Sequence, residues 1–297
     1  MKNTWIQKKK EREEVLRGTS ISKETLERIW ENPGSRAGVI LFAAIVIVCV
    51  FAPVFAPYGV NDMDLQHIYQ GPSRAHLFGT DGMGRDQLTR ILYGGRYSLA
   101  LGVCAAIVGS AAGTVIGSFA GYLGGKVETV IMRLIDIWSS LPSILLCILI
   151  SATLGAGFVN TVIALAVGNV PTGVRLIRGQ ILAERSKEYL EAAESINCSQ
   201  LSIMFRHMLP NVISPVIVDA TMGIGMNITM AAALSYIGLG VQPPTPEWGA
   251  LLADARSHIL NYPYLIMFPG IVIAVTVLAI NLIGDGLRDA MDPKLRK

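Results

Sequence analysis

The stretch Tyr189 to Asn211, YLEAAESINCSQLSIMFRHMLPN, is the longest polar interruption between apolar segments in the second half of this chain. It reads as two short helices joined by a turn. In the first, Leu190, Ala193 and Asn197 share one side and Glu191 and Glu194 another. In the second, Leu201, Met204, Phe205 and Met208 recur at i, i+3, i+4 and i+7, an amphipathic face that must be buried. Ser199 is placed to cap the second helix, because a serine hydroxyl accepts from backbone N–H groups of the first turn. Pro210 stops it, since the residue before a proline is driven out of the helical region. On pattern alone, such a segment also suits a helix lying on a lipid surface.

The rest of the chain says what kind of protein surrounds this stretch. Of 297 residues, 52% are hydrophobic and only 16% charged, where a soluble domain carries about 25% charged residues. Six apolar segments are each near the ~20 residues that a helix needs to cross a bilayer: Ala37–Ala56, Ser98–Leu123, Ile137–Leu154, Phe158–Val174, Val212–Leu239 and Tyr264–Ile283. The fifth is long enough to break near its end. Cys49, Cys104, Cys147 and Cys198 are widely spaced with no CxxC pairing, which points to neither a disulfide framework nor a zinc site.

Six crossings put both termini on one side, and charge chooses the side. With the N-terminus inside, inner segments hold 20 Lys/Arg and outer segments 5. Positive residues collect on the cytoplasmic side. The expected architecture is therefore an all-α membrane protein, N-in and C-in, with Tyr189–Asn211 in the cytoplasm.

Residues 1–36 form a charged cytoplasmic segment ahead of a transmembrane domain over 37–297. Lys8, Lys9 and Lys10 are offset by Glu11, Glu13 and Glu14, so nucleic acid is not an expected partner. No apolar core near the start reads as a cleaved signal peptide. Ser22 to Glu31 reads as a short amphipathic helix carrying Leu26, Ile29 and Trp30, ended by Pro33-Gly34.

Gly109, Gly113, Gly117, Gly121 and Gly125 recur at strict four-residue spacing, a stripe that lets another helix backbone approach closely. The partner helix is in the same bundle or in another subunit. Asp219 is the one ionisable residue well inside a segment, where a charge faces a cavity or a partner. That leaves a pathway role or a structural hydrogen bond. Arg133 with Asp136, and Asp285 with Arg288, are three apart and read as local ion pairs. Asp81, Arg85, Asp86 and Arg90 form a charge cluster in the loop Tyr58–Arg96 that fixes its shape. Trp248 suits an interfacial anchor. The chain lacks GxxxxGK[ST], HExxH and GxSxG, and its four histidines are scattered, so no enzyme site is read in it.

Three blocks carry a family resemblance. Glu191-Ala192-Ala193, with RHMLPN over Arg206–Asn211, resembles the EAA loop of permease subunits of bacterial ABC importers. HLFGTDGMGRDQLTRILYGGRYSL from His76 and GLGVQPPTPEWG from Gly238 resemble the dipeptide, oligopeptide and nickel branch. The chain departs from the usual pattern at Asn197 (usually Gly), His207 (usually Ile) and Ala231 (often Glu). Asn197 keeps the function of glycine, since Asn also tolerates the left-handed conformation.

The resemblance covers about residues 37–297 and implies a type I importer permease fold. It implies that Glu191, Ala192, Ala193, Asn197, Leu209 and Pro210, within a loop of about 175–211, couple the chain to an ATPase. It implies as partners a second, homologous permease, two cytoplasmic P-loop ATPases and an extracytoplasmic binding protein, in a bacterial inner membrane. ATP and Mg would sit on the ATPases, with no cofactor in this chain. Peptides are the expected cargo, with nickel or another small solute as the alternative. An ion-coupled secondary transporter is the competing class. It calls for inverted repeats and several midplane acids, and only Asp219 is present.

Overall fold

The computed structural model describes residues 21–291, and the Lys8–Glu14 charge run lies outside them. Among the described residues the chain is helical, with one isolated bridge, Thr80 to Asp86. Among the described residues five helices are long and apolar enough to span a bilayer, and a sixth crossing is reached if one bent helix pair is counted as a single span.

Helix α1 (Ile21–Glu31) is followed at once by α2 (Pro33–Val50). Pro33 thus starts a helix as well as ending one. Proline suits the first helical position, where its missing N–H would have no partner. The Asn32 side chain caps α2, accepting from Gly34 N and Ser35 N. On α1 only Ile29 of the expected apolar trio is buried, while Leu26 and Trp30 stay exposed. A short α3 (Ala52–Phe55) completes the first crossing.

Helix α4 (Gln87–Leu123) has 37 residues, about 55 Å at 1.5 Å per residue, well beyond the ~30 Å hydrocarbon core. Its first turns, read from sequence as loop, are helix buried in a cap built by residues 56–86 and 238–263. Asp86 starts the helix by accepting from Thr89 N at 2.8 Å. The charge cluster splits in two. Asp81 accepts from Arg85 Nε at 2.7 Å and lies 3.6 Å from Arg90 Nε. Asp86 instead meets His76 Nδ1 at 3.0 Å. Both groups shape the cap.

The third crossing is broken. α5 (Gly125–Ser139) and α6 (Ser143–Leu154) meet at 83°, in place of one helix over Ile137–Leu154. Pro142 accounts for the break. It disfavours helical backbone at Leu141 and cannot donate to the preceding turn. α6 alone reaches only ~18 Å. Asp136 of α5 pairs with Arg175 at 3.1 Å and not with Arg133, because the facing helix offers a guanidinium across the groove. No ion pair joins Asp285 to Arg288, although helix spacing allows one.

Helix α7 (Phe158–Glu184) lies against α4 along the glycine stripe. A Cβ built on Gly113 would stand 2.9 Å from Gly173 Cα, and one on Gly117 2.1 Å from Ile177 Cγ2. Gly109 faces Ala166 and Gly121 faces Ile181. The stripe therefore packs inside this chain. It ends at Gly121, because Gly124 (φ 65°) and Gly125 (φ 55°) turn the backbone from α4 into α5.

After the Tyr189–Asn211 loop come α11 (Ser214–Tyr236), α12 (Trp248–Ala255) and α13 (Tyr264–Met291). α11 is unbroken to Tyr236, and the chain departs at Ile213, before Pro215. Ala231, where the family often carries Glu, is fully buried beside Leu101, Leu165 and Leu234.

Trp248 is not an interfacial anchor. It is fully buried, donates from Nε1 to Ile91 O at 2.9 Å, and fills the space left by Gly94 and Gly95. Beside it Ser98 Oγ donates to Glu247 Oε1 at 2.8 Å. Trp248→Ala is expected to cost about 3–5 kcal/mol through the cavity left behind. A drop of many degrees in the unfolding midpoint of the purified complex checks this, and an unchanged midpoint refutes it.

Candidate functional site

The stretch bounded by Tyr189 and Asn211 closes on itself. Asn211 Nδ2 donates to Tyr189 Oη at 3.2 Å and to His207 O at 2.8 Å. Tyr189 Oη in turn donates to Glu184 Oε1 at 3.0 Å, at the end of α7. Burial is the main cause that pushes the Tyr189 hydroxyl above its usual range, so it stays a donor.

Helix α8 (Glu188–Ser195) is the first of the expected short helices. Asn197 ends the turn with φ 59°, the left-handed backbone that asparagine tolerates. Ser199 then accepts from Ser202 N at 3.3 Å and starts the second helix, as its position predicts.

That second helix is not a uniform α-helix. α9 (Gln200–Ser202) runs into a π-helical turn (Ile203–Met208) and then α10 (Leu209–Val212), so Pro210 does not stop the helix as expected but sits in the first turn of α10, where a proline is tolerated. A π turn carries i→i+5 bonds and widens the spacing of inward side chains. The buried set becomes Ile203, Met204, Met208 and Val212. Leu201 is 59% exposed and Phe205 38% exposed, so the face expected from ideal spacing is only half correct. Phe205 meets the Phe119 ring edge-on at 6.1 Å.

The loop has its own small core. Leu190 and Ala193 of α8 pack with Ile203, Met208 and Val212 against Ile177 and Ile181 of α7. Ala193 is therefore an inward residue of this chain. Its neighbours Glu191 and Ala192 point outward, as does Asn197. Ile196 is 75% exposed, and the sequence pattern did not single it out. Glu191, Ala192, Ile196 and Leu201 are thus all exposed on the outside of a packed base, and two of them are large and apolar. Leu209 is partly buried against that base, and Pro210 lines a cavity behind it.

This cavity has a volume of about 730 Å³ and opens between the ends of α7, α11 and α13. Asp219 and Arg288 line it, as does Asn211, which closes the loop. Asp219 stands five residues after Ser214, the first residue of α11, about 8 Å along the axis. It lies at the mouth of the bundle, nearer the end than the expected span placed it, because α11 starts after the loop helices. On its wall α10 and α11 meet α7, and Asn211 of α10 is hydrogen-bonded to Tyr189 of α8.

Among the described residues no group of three or more His, Cys, Asp or Glu side chains is arranged to hold a metal.

The comparisons with known proteins agree in direction. The family described as binding-protein-dependent transport system inner membrane component matches residues 113–297. The N-terminal TM domain of oligopeptide transport permease C matches residues 20–72. The glutathione transport system permease protein GsiD of Pectobacterium atrosepticum is 45% identical over 258 residues, 86% of each chain. The dipeptide transport system permease protein DppC of Alkalihalophilus pseudofirmus is 42% identical over 274 residues, 92% of this chain and 90% of that one. Among solved structures, the MetNI methionine ABC transporter in an inward-facing conformation has a chain that superposes with a TM-score of 0.56 at 18% identity, covering 69% of this chain and 98% of that one. An amino acid ABC transporter gives a TM-score of 0.51 at 18% identity, over 67% and 92%. On its sequence matches and its multi-pass helical fold, this chain belongs to the family of inner-membrane permease components of binding-protein-dependent ABC transporters.

Proposed function

We propose that the chain forms half of a translocation pathway for di- or oligopeptides, with a second, homologous permease as the other half. Two cytoplasmic P-loop ATPases supply ATP and Mg, and an extracytoplasmic binding protein delivers the cargo. The chain itself does no covalent chemistry. The observation that carries this reading is the exposed set Glu191, Ala192, Ile196 and Leu201 on a self-closed loop between two crossings. A short helix with an exposed small residue, beside two large exposed apolar ones, is a ready surface for a groove on a partner. Names of relatives that carry dipeptides and glutathione support peptide cargo over nickel.

The test is purification with the neighbouring subunits and reconstitution in vesicles. Dialanine, glutathione and nickel are offered with the binding protein. ATP-dependent uptake of a peptide is the expected result, and uptake of nickel alone overturns the peptide assignment.

The orientation is N-in and C-in, with residues 1–36 in the cytoplasm. A cysteine at Thr245 is expected to react with an impermeant maleimide from outside, and one at Ser199 is expected not to react. The reverse pattern refutes the orientation. Asp219 lines the pathway mouth, so Asp219→Asn is expected to slow uptake severalfold in a complex that still assembles. Unchanged uptake returns Asp219 to a purely structural role.

A further inference from the structure

The cavity of about 730 Å³ behind the loop falls within the ~300–1,000 Å³ of small-molecule sites, and it carries charges of both signs. Its lining carries the carboxylates of Glu184 and Asp219 and the guanidinium of Arg288. Glu184 is engaged by Tyr189. Asp219 and Arg288 make no ion pair or hydrogen bond among the described residues, with each other or with any other group. Both are exposed residues, so each is open to a ligand in the cavity. Asp219 lies five residues from the start of α11 and Arg288 three from the end of α13, so both sit within about 8 Å of the same mouth. The two helices pack directly, with Gly284 against Met222. Packed helix axes stand about 8–10 Å apart. An extended di- or tripeptide has its ends about 7–10 Å apart. The helix spacing is of the same order as that span, and apolar Leu176, Val218 and Met222 share the lining with the two charges.

We propose that this cavity is an exit site for a zwitterionic short peptide, with Asp219 receiving the ammonium end and Arg288 the carboxylate end. The proposal rests on the peptide reading above and adds a binding site with a polarity. A weak site suits this place, because cargo held tightly at the exit would not leave.

The test measures equilibrium binding of dialanine, N-acetyl-dialanine and dialanine amide to the assembled, nucleotide-free complex in nanodiscs without the binding protein. Wild type is expected to bind dialanine about fivefold more tightly than either blocked probe, a difference fitting the loss of one charge-assisted hydrogen bond at a half-open site. The pattern then splits by residue. Asp219→Asn is expected to erase the preference over the acetylated probe and keep the preference over the amide. Arg288→Gln is expected to do the opposite. Assembly of both variants is checked by subunit stoichiometry. Equal binding of the three probes to wild type overturns the exit site, as does an equal loss of all three in both variants. Vesicle uptake separates the two readings. Peptide uptake with no such pattern removes the exit site and leaves the peptide importer standing. Absence of peptide uptake removes the peptide reading itself.

Discussion

Gly117→Ile is expected to reduce recovery of the assembled complex more than tenfold. The reason is steric and local. A Cβ on Gly117 meets Ile177 Cγ2 at 2.1 Å and the carbonyl oxygen of Val174 at 2.6 Å. The first contact is a side chain that can shift, but the second is backbone of α7 and cannot retreat without moving the helix. Overpacking a core costs about 1–3 kcal/mol and more where backbone blocks the way. Gly113→Ile meets Gly173 Cα at 2.9 Å and Val174 N at 3.2 Å, so it is expected to fail in the same way. Inside a membrane this contact is held by close packing, since lipid is as apolar as the helices and offers no drive of its own. Gly179, on α7 but with nothing within 4 Å of its built Cβ, is the control, and Gly179→Ala is expected to assemble normally. Yield and monodispersity of the purified complex decide the matter. Normal yield and transport for both stripe variants would mean that α4 and α7 do not touch in this way.

The second large effect concerns the loop, where two neighbouring alanines are expected to behave differently. Ala193 is 6% exposed and sits with Leu190, Ile203 and Met208 against α7. Ala193→Trp therefore clashes inside this chain and is expected to loosen the loop itself, lowering thermal stability along with transport. Glu191, Ala192 and Ile196 point away from that core. Glu191→Lys, Ala192→Trp and Ile196→Asp are expected to leave the bundle folded and its unfolding midpoint unchanged. They are expected to weaken ATPase association or to uncouple hydrolysis from uptake by tenfold or more, in line with the loss of a central contact residue. Subunit stoichiometry and substrate-stimulated ATPase activity in vesicles provide the readout. Intact coupled transport in all three outward variants removes the coupling assignment from this loop.

Much of this was legible in the chain read as text. Apolar length alone required a bundle with about six crossings, because a bilayer has no other way to satisfy the backbone of such segments. The four-residue glycine spacing announced a close helix contact, and Asn197 announced a left-handed turn, since both are properties of single residues and their spacing. The outer boundaries of the loop, Tyr189 and Asn211, are joined by a hydrogen bond at 3.2 Å.

Other features needed the tertiary structure. Periodicity assumes 3.6 residues per turn, and the π turn over Ile203–Met208 breaks that assumption, so Leu201 and Phe205 faced outward and Ile203 inward. The preference of Asp136 for Arg175 over Arg133 depends on a helix 39 residues away in sequence. The glycine stripe named no partner, and only the approach of α7 supplied one inside the chain. Trp248 reads as an interfacial residue because of its type, yet Gly94 and Gly95 open a buried slot for it. Asp219 and Arg288 lie 69 residues apart, and nothing in either segment relates them. Spacing within a helix is written in its own residues, whereas which helix lies opposite is set by how the whole bundle packs.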